Sequence, residues 1–400
     1  MASPIHAAKG VTTPARLAPQ KIHSIVVAPL SGESPKGGWS AEIKPADSVH
    51  ALIAVHTQDG LTGYGSVFAD GRLVQAAVDV LEPLFAGEDA LQPERLTEKL
   101  HQNTFWMGRG GSLTHAISGI DIALWDILGQ TVGLPISQLL GGSYRSRVQP
   151  YCSLLMEEPA KMRDTLALYS ERDGYRAFKI GWGPFGRALD TRLDEAIIRV
   201  ARDAVGEDSK LFVDAGACDA HWPHGLKWAM RTADMLAGYG VDWFEEPLRP
   251  DSIDDYCHLR RVSRVPIAGG EVLTRRQTFL PWLSRGAFDI VQPDVTKVGG
   301  LSEQRRIAWM ADDFDVRYVG HGWNTGVGVA ADLQMAAAFP HVDYVEFIGG
   351  SAYVDGILSE PFVIDAQGYL AIPDRPGLGV ALDRDKIARY SPNAAALFSV

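Results

Sequence analysis

Three stretches decide the reading: LFVDAG (211–216), VDWFEEP (241–247) and VPIAGGE (265–271). Each opens on a short apolar run and ends on a carboxylate: Asp214, then Glu245 with Glu246, then Glu271. Runs this short and this apolar fit strands buried on both faces. Working outward, similar runs fall at 148–154, 177–180, 288–291, 316–319 and 344–347, which makes eight in all. Helical patterns lie between them at 192–204, 226–238, 302–312 and 327–339. Parallel strands need crossover connections, so strands alternating with helices predict a parallel sheet. Eight repeats predict an α/β fold, a modified TIM (β/α) barrel spanning 148–359. No clear eighth helix follows the last run, so imperfect closure is expected.

The flanks read differently. Residues 20–147 begin with strand-like segments at 22–28 and 49–57 and continue with helical patterns at 73–84 and 112–129. That order predicts an α+β domain. In the second helix Ala116, Ile120, Ala123, Leu124, Ile127 and Leu128 recur at helical spacing, and Gly133 and Pro135 end it. The intervening segment 31–45 is rich in Gly, Ser, Pro and Lys and reads as a functional loop. Residues 1–19 read as a disordered tail. Residues 360–400 are too few to build a core alone and are expected to return to the first domain.

Composition excludes several classes. Of 400 residues, 46% are hydrophobic and 22% charged, which excludes wholesale disorder. Acidic residues (49) outnumber basic ones (38), giving a net charge of −11. That balance argues against a nucleic-acid partner and against an anionic membrane surface. No apolar run is long enough to span a bilayer. Three scattered cysteines, Cys152, Cys218 and Cys257, form neither a disulfide framework nor a zinc motif, so a cytoplasmic setting is expected.

The chemistry is carried by what ends each strand. Lys179, Asp214, Glu245 and Glu246, Glu271, Asp294, His321 and Glu346 end or follow successive runs. In a barrel these ends converge on one face. Taken singly, each acid is a solvated charge, His321 a structural histidine and Lys179 a snorkelling barrel lysine. Together they read otherwise. Asp214, Glu245 and Glu271 on adjacent strands repel unless a cation joins them, and an all-oxygen set favours Mg²⁺. Asp294 beside His321 would fix the imidazole tautomer and raise its basicity. Glu346 is either a protonated donor to a substrate oxygen or a buried acid paired with arginine. This set suits removal of a proton from carbon next to a carboxylate. His321 would be the base, and the metal with Lys179 would stabilise the enediolate.

These residues resemble the enolase superfamily, in its mandelate racemase-like branch. AISGIDIALWDILGQTVGLPISQLLGG (116–142) looks like the end of that family's capping domain. FVDAG, WFEEP and GGE look like its metal-ligand segments, QPDVTKVGGLSE (292–303) like its Asp segment and GHGWNTGVG (320–328) like its His segment. The resemblance implies Mg²⁺ on Asp214, Glu245 and Glu271 and an Asp294–His321 dyad. It also implies that 20–147 caps the barrel, completed by the C-terminal segment, that the 31–45 loop covers the substrate, and that the chain forms a homo-oligomer.

Two departures narrow the activity. In AFKIGWG (177–183) the family's frequent second lysine is replaced by Gly181, and Gly216 stands where an Asn often follows the first metal ligand. Without the second lysine, two-base racemisation is disfavoured. One histidine suffices for dehydration, taking the α-proton and returning it to a departing β-hydroxyl. The product is a 2-keto-3-deoxy acid, as in the branch's acid-sugar dehydratases, rhamnonate-type enzymes included. The alternatives are a cycloisomerase or epimerase/racemase acting through the same enolate, or a barrel that binds a sugar acid without turnover. Trp39, Trp182, Glu246, His221, His224, Trp323 and Asn324 are candidate contacts for a small sugar acid. The two histidines in 219–225 lack a third ligand for a second metal.

Overall fold

The computed structural model describes residues 17–32, 49–186, 191–216, 225–348, 353 and 356–399. Nearly all of the expected tail and most of the 31–45 loop lie outside the described residues. Strands β1 (Ile22–Leu30), β2 (His50–Thr57) and β3 (Thr62–Val67) form an antiparallel sheet in that order. Every residue of β2 is buried, which explains the apolar run Ala51–Val55 between its polar ends. Alternate side chains serve two cores: Ala51, Ile53 and Val55 pack with the cap's own helices, and Leu52 and Ala54 with the barrel.

Three helices cover this sheet: α1 (Gly71–Phe85), α2 (Pro93–Thr104) and α3 (Ser112–Val132). Helix α1 starts where the Asp70 side chain accepts from the Arg72 N–H at 2.8 Å, and it buries Val74, Ala77, Val78, Leu81 and Phe85. Helix α3 is buried on almost every side because it lies between the cap sheet and the barrel. It approaches β3 so closely that a Cβ at Gly65 would sit on the Gly119 carbonyl oxygen. Its end is set by Gly133, whose φ of 73° is left-handed. The short helix α4 (Ile136–Leu139) leads into the barrel.

The barrel runs β4 (Arg147–Leu155), α5 (Pro159–Asp173), β5 (Ala177–Gly181), α6 (Arg192–Val205), β6 (Lys210–Asp214), α7 (Gly225–Gly238) and β7 (Trp243–Glu245). It continues α8 (Ile253–Val262), β8 (Ile267–Gly269), α9 (Arg276–Ser284), β9 (Ile290–Val291), α10 (Gly300–Asp313), β10 (Arg317–Tyr318), α11 (Gly326–Ala338) and β11 (Tyr344–Ile348). The strands pair in parallel in the order β10-β9-β8-β7-β6-β5-β4-β11. Among the described residues no ladder joins β10 to β11, so the sheet is curled but incompletely closed. Helix α6 shows why the outer helices form: Ile197, Ile198, Ala201 and Val205 make one buried stripe, and Asp194 and Glu195 fill its first turn. Each such buried Ile or Val contributes about 1.5–3 kcal/mol. Helix α11 differs. All its residues are buried, because it touches the cap strand β3 as well as the barrel.

Aromatic side chains plug the barrel interior below the strand ends. Phe212 and Trp243 stack at 3.4 Å, with Tyr151 edge-on to both at 5.5 Å. The cap is fixed to the barrel at the α3–α10 seam. There Trp125 donates to Ser302 at 3.0 Å, Ser302 donates to Asp121 at 2.5 Å, and the Gly299 N–H donates to Ser118 at 2.8 Å. The C-terminal segment pairs β12 (Leu370–Ala371) with β4 and then reaches the cap. The Ser31 N–H donates to the Tyr390 carbonyl at 2.8 Å and Asn393 to the Val27 carbonyl at 3.2 Å. No described helix is long and apolar enough to cross a membrane.

Candidate active site

Parallel register sets the site. Gly181 pairs with Asp214 across β5–β6, and Asp214 pairs with Glu245 across β6–β7. A parallel bridge between Asp294 and His321 extends the ladder beyond β9 and β10. The three acids Asp214, Glu245 and Glu271 thus bring one carboxylate oxygen each to within 4.8 Å of the others. Oxygen donors alone are the ligand chemistry of a hard divalent cation.

The backbone is strained to make this cradle. Trp182 (φ 60°) and Glu246 (φ 42°) are non-glycine residues in left-handed conformation just past the ends of β5 and β7. Both glycines that depart from the family pattern lie here. A Cβ at Gly216 would come 2.9 Å from Glu246 Oε2, and one at Gly181 would come 2.8 Å from the Asp214 Cβ. Each glycine makes room for the first acid.

Lys179 is the cation among these acids. Its Nζ lies 2.7 Å from Glu245 Oε1, 3.1 Å from Glu346 Oε1 and 3.6 Å from Asp214 Oδ2. Burial alone would strip its proton, but Glu245 and Glu346 outweigh burial and hold it charged. The second oxygen of Glu245 accepts from Gln292 at 2.8 Å and from the Trp243 indole at 3.0 Å. Burial and then Glu245 drive the Asp214 carboxyl well above its usual range. Glu271 goes the other way. Burial raises it, but His321 and Lys297 together hold it well below. The cluster is therefore short of positive charge on the Asp214 side, where a bound cation would supply it.

His321 is held on both ring nitrogens. Nδ1 is 2.7 Å from Asp294 Oδ2, and Nε2 is 2.9 Å from Glu271 Oε2 and 3.8 Å from Glu346 Oε2. Burial pushes Asp294 up, but Lys297 and His321 overcome it and hold the carboxyl at about 2. Asp294 therefore accepts only, and Nδ1 carries the hydrogen. Glu346 is not paired with arginine. It takes Lys179, the Tyr151 hydroxyl at 3.1 Å and the Gly322 N–H at 2.8 Å, and its carboxyl is held low despite burial. That leaves it ionised, unlike the protonated donor considered from the sequence.

Several contributors escaped the sequence reading. Lys297 lies 3.4 Å from Glu271 Oε1 and 3.6 Å from Asp294 Oδ2, with its ammonium 4.4 Å above the Phe68 ring of the cap. Its only signal was its place three residues after Asp294. Cap residue His50 bonds through Nε2 to the Trp323 carbonyl at 2.7 Å. The Trp323 ring lies 6.4 Å from that of Trp182 at an angle of 23°. Two expected substrate contacts, Trp182 and Trp323, are thus together above the strand ends. Glu246 is beside the acids, its carboxyl raised to about 8 by burial, Glu271 and Glu245. Asn324 is buried, and its amide engages Thr296 and Asp332. Trp39, His221 and His224 lie outside the described residues.

Comparison with known proteins agrees with this geometry. Residues 45–141 match the mandelate racemase / muconate lactonizing enzyme N-terminal domain, and residues 161–386 the enolase C-terminal domain-like family. The chain is 36% identical to the D-galactarolactone cycloisomerase of Agrobacterium fabrum, over 88% of this chain and 93% of the relative. It is 31% identical to the D-xylonate dehydratase of Haloferax volcanii, over 87% and 86% respectively. A solved racemase from Streptomyces coelicolor with bound magnesium superposes with a TM-score of 0.81 at 28% identity, covering 92% of this chain and 99% of that one. With both of the family's domains matched in order, this chain belongs to the enolase superfamily, in its mandelate racemase-like branch.

Proposed function

We propose that the protein is an acid-sugar dehydratase that converts an aldonate-type acid to its 2-keto-3-deoxy acid. Asp214, Glu245 and Glu271 would hold Mg²⁺, which when bound supplies positive charge to the substrate carboxylate as the α-carbon is deprotonated. In this reading His321, whose proton affinity is raised despite burial, chiefly by Glu271, is a neutral base once that carboxylate is engaged as a metal ligand. Its Nε2 then takes the proton α to the carboxylate, and Asp294 steadies the imidazolium. Lys179 meets the negative charge that collects on the carboxylate oxygens. Glu346 holds the Lys179 ammonium in place. The β C–O bond then breaks, the departing oxygen takes the proton back from His321 as water, and the enol becomes the ketone. Trp182 and Trp323, with Glu246, would line the sugar, and Trp39, His221 and His224 are proposed to complete the pocket.

The observation that carries this reading is one imidazole base beside the acid triad, with a glycine at 181 where a second base would stand. A single base favours elimination over racemisation. The name of the D-xylonate dehydratase relative supports the substrate class. The cycloisomerase relative supports a second reading on the same chemistry. If the β-oxygen belongs to a lactone ring, the same elimination opens the ring and mass is conserved.

Incubating the protein and Mg²⁺ with aldonates and aldarolactones in D₂O tests both readings. Dehydration gives a keto acid that has lost one water and carries one deuterium at C3, taken up when the enol ketonises. Cycloisomerisation gives an isomer. The proposal fails if no acid loses water and none exchanges its α-hydrogen for deuterium.

A further inference from the structure

Behind Asp294, on the side of Oδ1 and away from His321, lies a buried chain of polar side chains. Thr296, Gln304, Asn324 and Asp332 are all 4% exposed or less. Thr296 Oγ1 is 2.6 Å from Asp294 Oδ1 and 2.9 Å from Asn324 Oδ1, and Asp294 Oδ1 also accepts from the Thr296 N–H at 2.7 Å. Asn324 Nδ2 is 3.4 Å from Asp332 Oδ2, and Gln304 donates to Asp332 Oδ1 at 3.1 Å.

Counting hydrogens fixes the direction of the chain. A hydroxyl has one hydrogen, and the Asp294 carboxylate offers only lone pairs, so the Thr296 hydrogen goes to Asp294. Asn324 must then donate to Thr296. The two ends of an amide are alike in shape, so exchanging Oδ1 and Nδ2 of Asn324 costs nothing sterically, and the hydrogen count requires the exchange. It turns the Asn324 carbonyl oxygen toward Asp332. An oxygen acceptor facing a carboxyl requires a proton on that carboxyl, so Asp332 is the donor. An independent observation agrees: burial, then the nearby Asp294 charge, drives the Asp332 carboxyl well above its usual range.

We infer that Asn324 and Asp332 are positioning residues for the Asp294–His321 pair. With Thr296 they form a one-way series of donors running from α11 to Asp294. The series holds Oδ1 of Asp294, which leaves Oδ2 aimed at His321 Nδ1 and Nε2 aimed at the pocket. Asn324 thus serves the dyad from behind, although its sequence position suggested a substrate contact. The role in catalysis rests on His321 being the base, as proposed above.

Two readouts test this separately. The first is the downfield ¹H resonance of the His321 Nδ1–H, assigned by its loss in His321→Asn and independent of any substrate. The second is kcat and KM on the acid that the panel identifies. Asp332→Leu and Asn324→Leu are expected to shift or erase the resonance. They should lower kcat by about ten- to a hundredfold, with KM changed less than about threefold. Asp332→Asn keeps a donor toward Asn324 and an acceptor toward Gln304, so it should restore what Asp332→Leu loses. Thr296→Ser should do the same for Thr296→Val. The inference is overturned if folded Asp332→Leu keeps the wild-type resonance. It is also overturned if Asp332→Asn loses as much as Asp332→Leu, since charge rather than a donated hydrogen would then matter. A wild-type protein with no turnover would defeat the proposed activity while the resonance still tests the donor series.

Discussion

At the mouth of the barrel, Lys179, Glu245, Glu346, Lys297, Asp294 and His321 lie within ion-pair reach of opposite charges. At the seam between cap and barrel, His50, His101, His115, Asp121 and Asp126 are largely enclosed too, but their hydrogen-bond partners are mostly neutral. At the seam burial wins. It lowers His50 and His115 to about 4 and His101 to about 3, and raises Asp121 to about 7 and Asp126 to about 6. At the mouth burial is opposed by neighbours and loses for Lys179, His321 and Asp294. Depth alone therefore does not decide ionisation. The neighbouring charge does. The mouth keeps its charges for chemistry, whereas these five seam groups are pushed toward their neutral forms even though Arg275 and Arg306 pair with Glu98 and Glu94 across the same seam.

That contrast is broken most severely by removing the base at the mouth. His321→Asn should lower turnover by about a thousandfold or more with little change in melting temperature, read by keto-acid formation and calorimetry. Chelation comes next. Exhaustive EDTA treatment should abolish turnover, Mg²⁺ should restore it, and saturating Mg²⁺ should raise the melting temperature as ligand linkage requires. Unchanged activity after verified metal removal would refute the role given to the acid triad. Lys179→Met should then cost about a hundredfold in kcat, because Glu245 and Glu346 lose their common cation.

Smaller effects sharpen the seam side. Gly65→Ala forces a methyl onto the Gly119 carbonyl and should destabilise by about 1–3 kcal/mol in urea melts. The kcat of the molecules that stay folded should be retained. The smallest effect is a slope. An unfolded imidazole binds its proton near 6.5, whereas folded His50 resists it until about 4. The stability that His50 contributes is therefore full above pH 6.5 and is lost as pH falls toward 4. Asp121 has the opposite sign: its ordinary value is 3.8 and its folded value about 7, so its contribution declines as pH rises between them. His50→Gln should flatten the acid limb of the melting-temperature profile, and an unchanged limb would place the titration elsewhere.

The fold was legible in the sequence because a barrel strand is brief, apolar and followed by one functional residue. The three runs ending in Asp214, Glu245 and Glu271 needed only that rule. The closure was read less completely. The missing eighth helix hinted at a defect, but the sequence marked neither the absence of a β10–β11 ladder among the described residues nor the contact of α11 with the cap strand β3. Lys297 carried only a faint signal, because its pairing with Glu271 and its seat over the cap ring of Phe68 join segments far apart in the chain. The neighbours of Asn324 were not legible for a local reason. Its N–H turns back to the Gly322 carbonyl at 2.6 Å, which faces its side chain toward Thr296 and Asp332. Periodicity reports which side of an element is wet, and it carries no information about a turn that short.

Gly181 has a consequence for how this scaffold can change. It stands opposite Asp214 in the β5–β6 ladder, with 2.8 Å between the Asp214 Cβ and any Cβ placed there. A lineage drifting from this chain toward inversion of stereocentres would meet a barrier at that rung. A lysine installed by one codon change dislodges the acid before it gains a use of its own. Either the rung must widen or the Asp214 side chain must move to admit it. Anyone redesigning the scaffold would do better to begin with the spacing of the rung than with the residue on it.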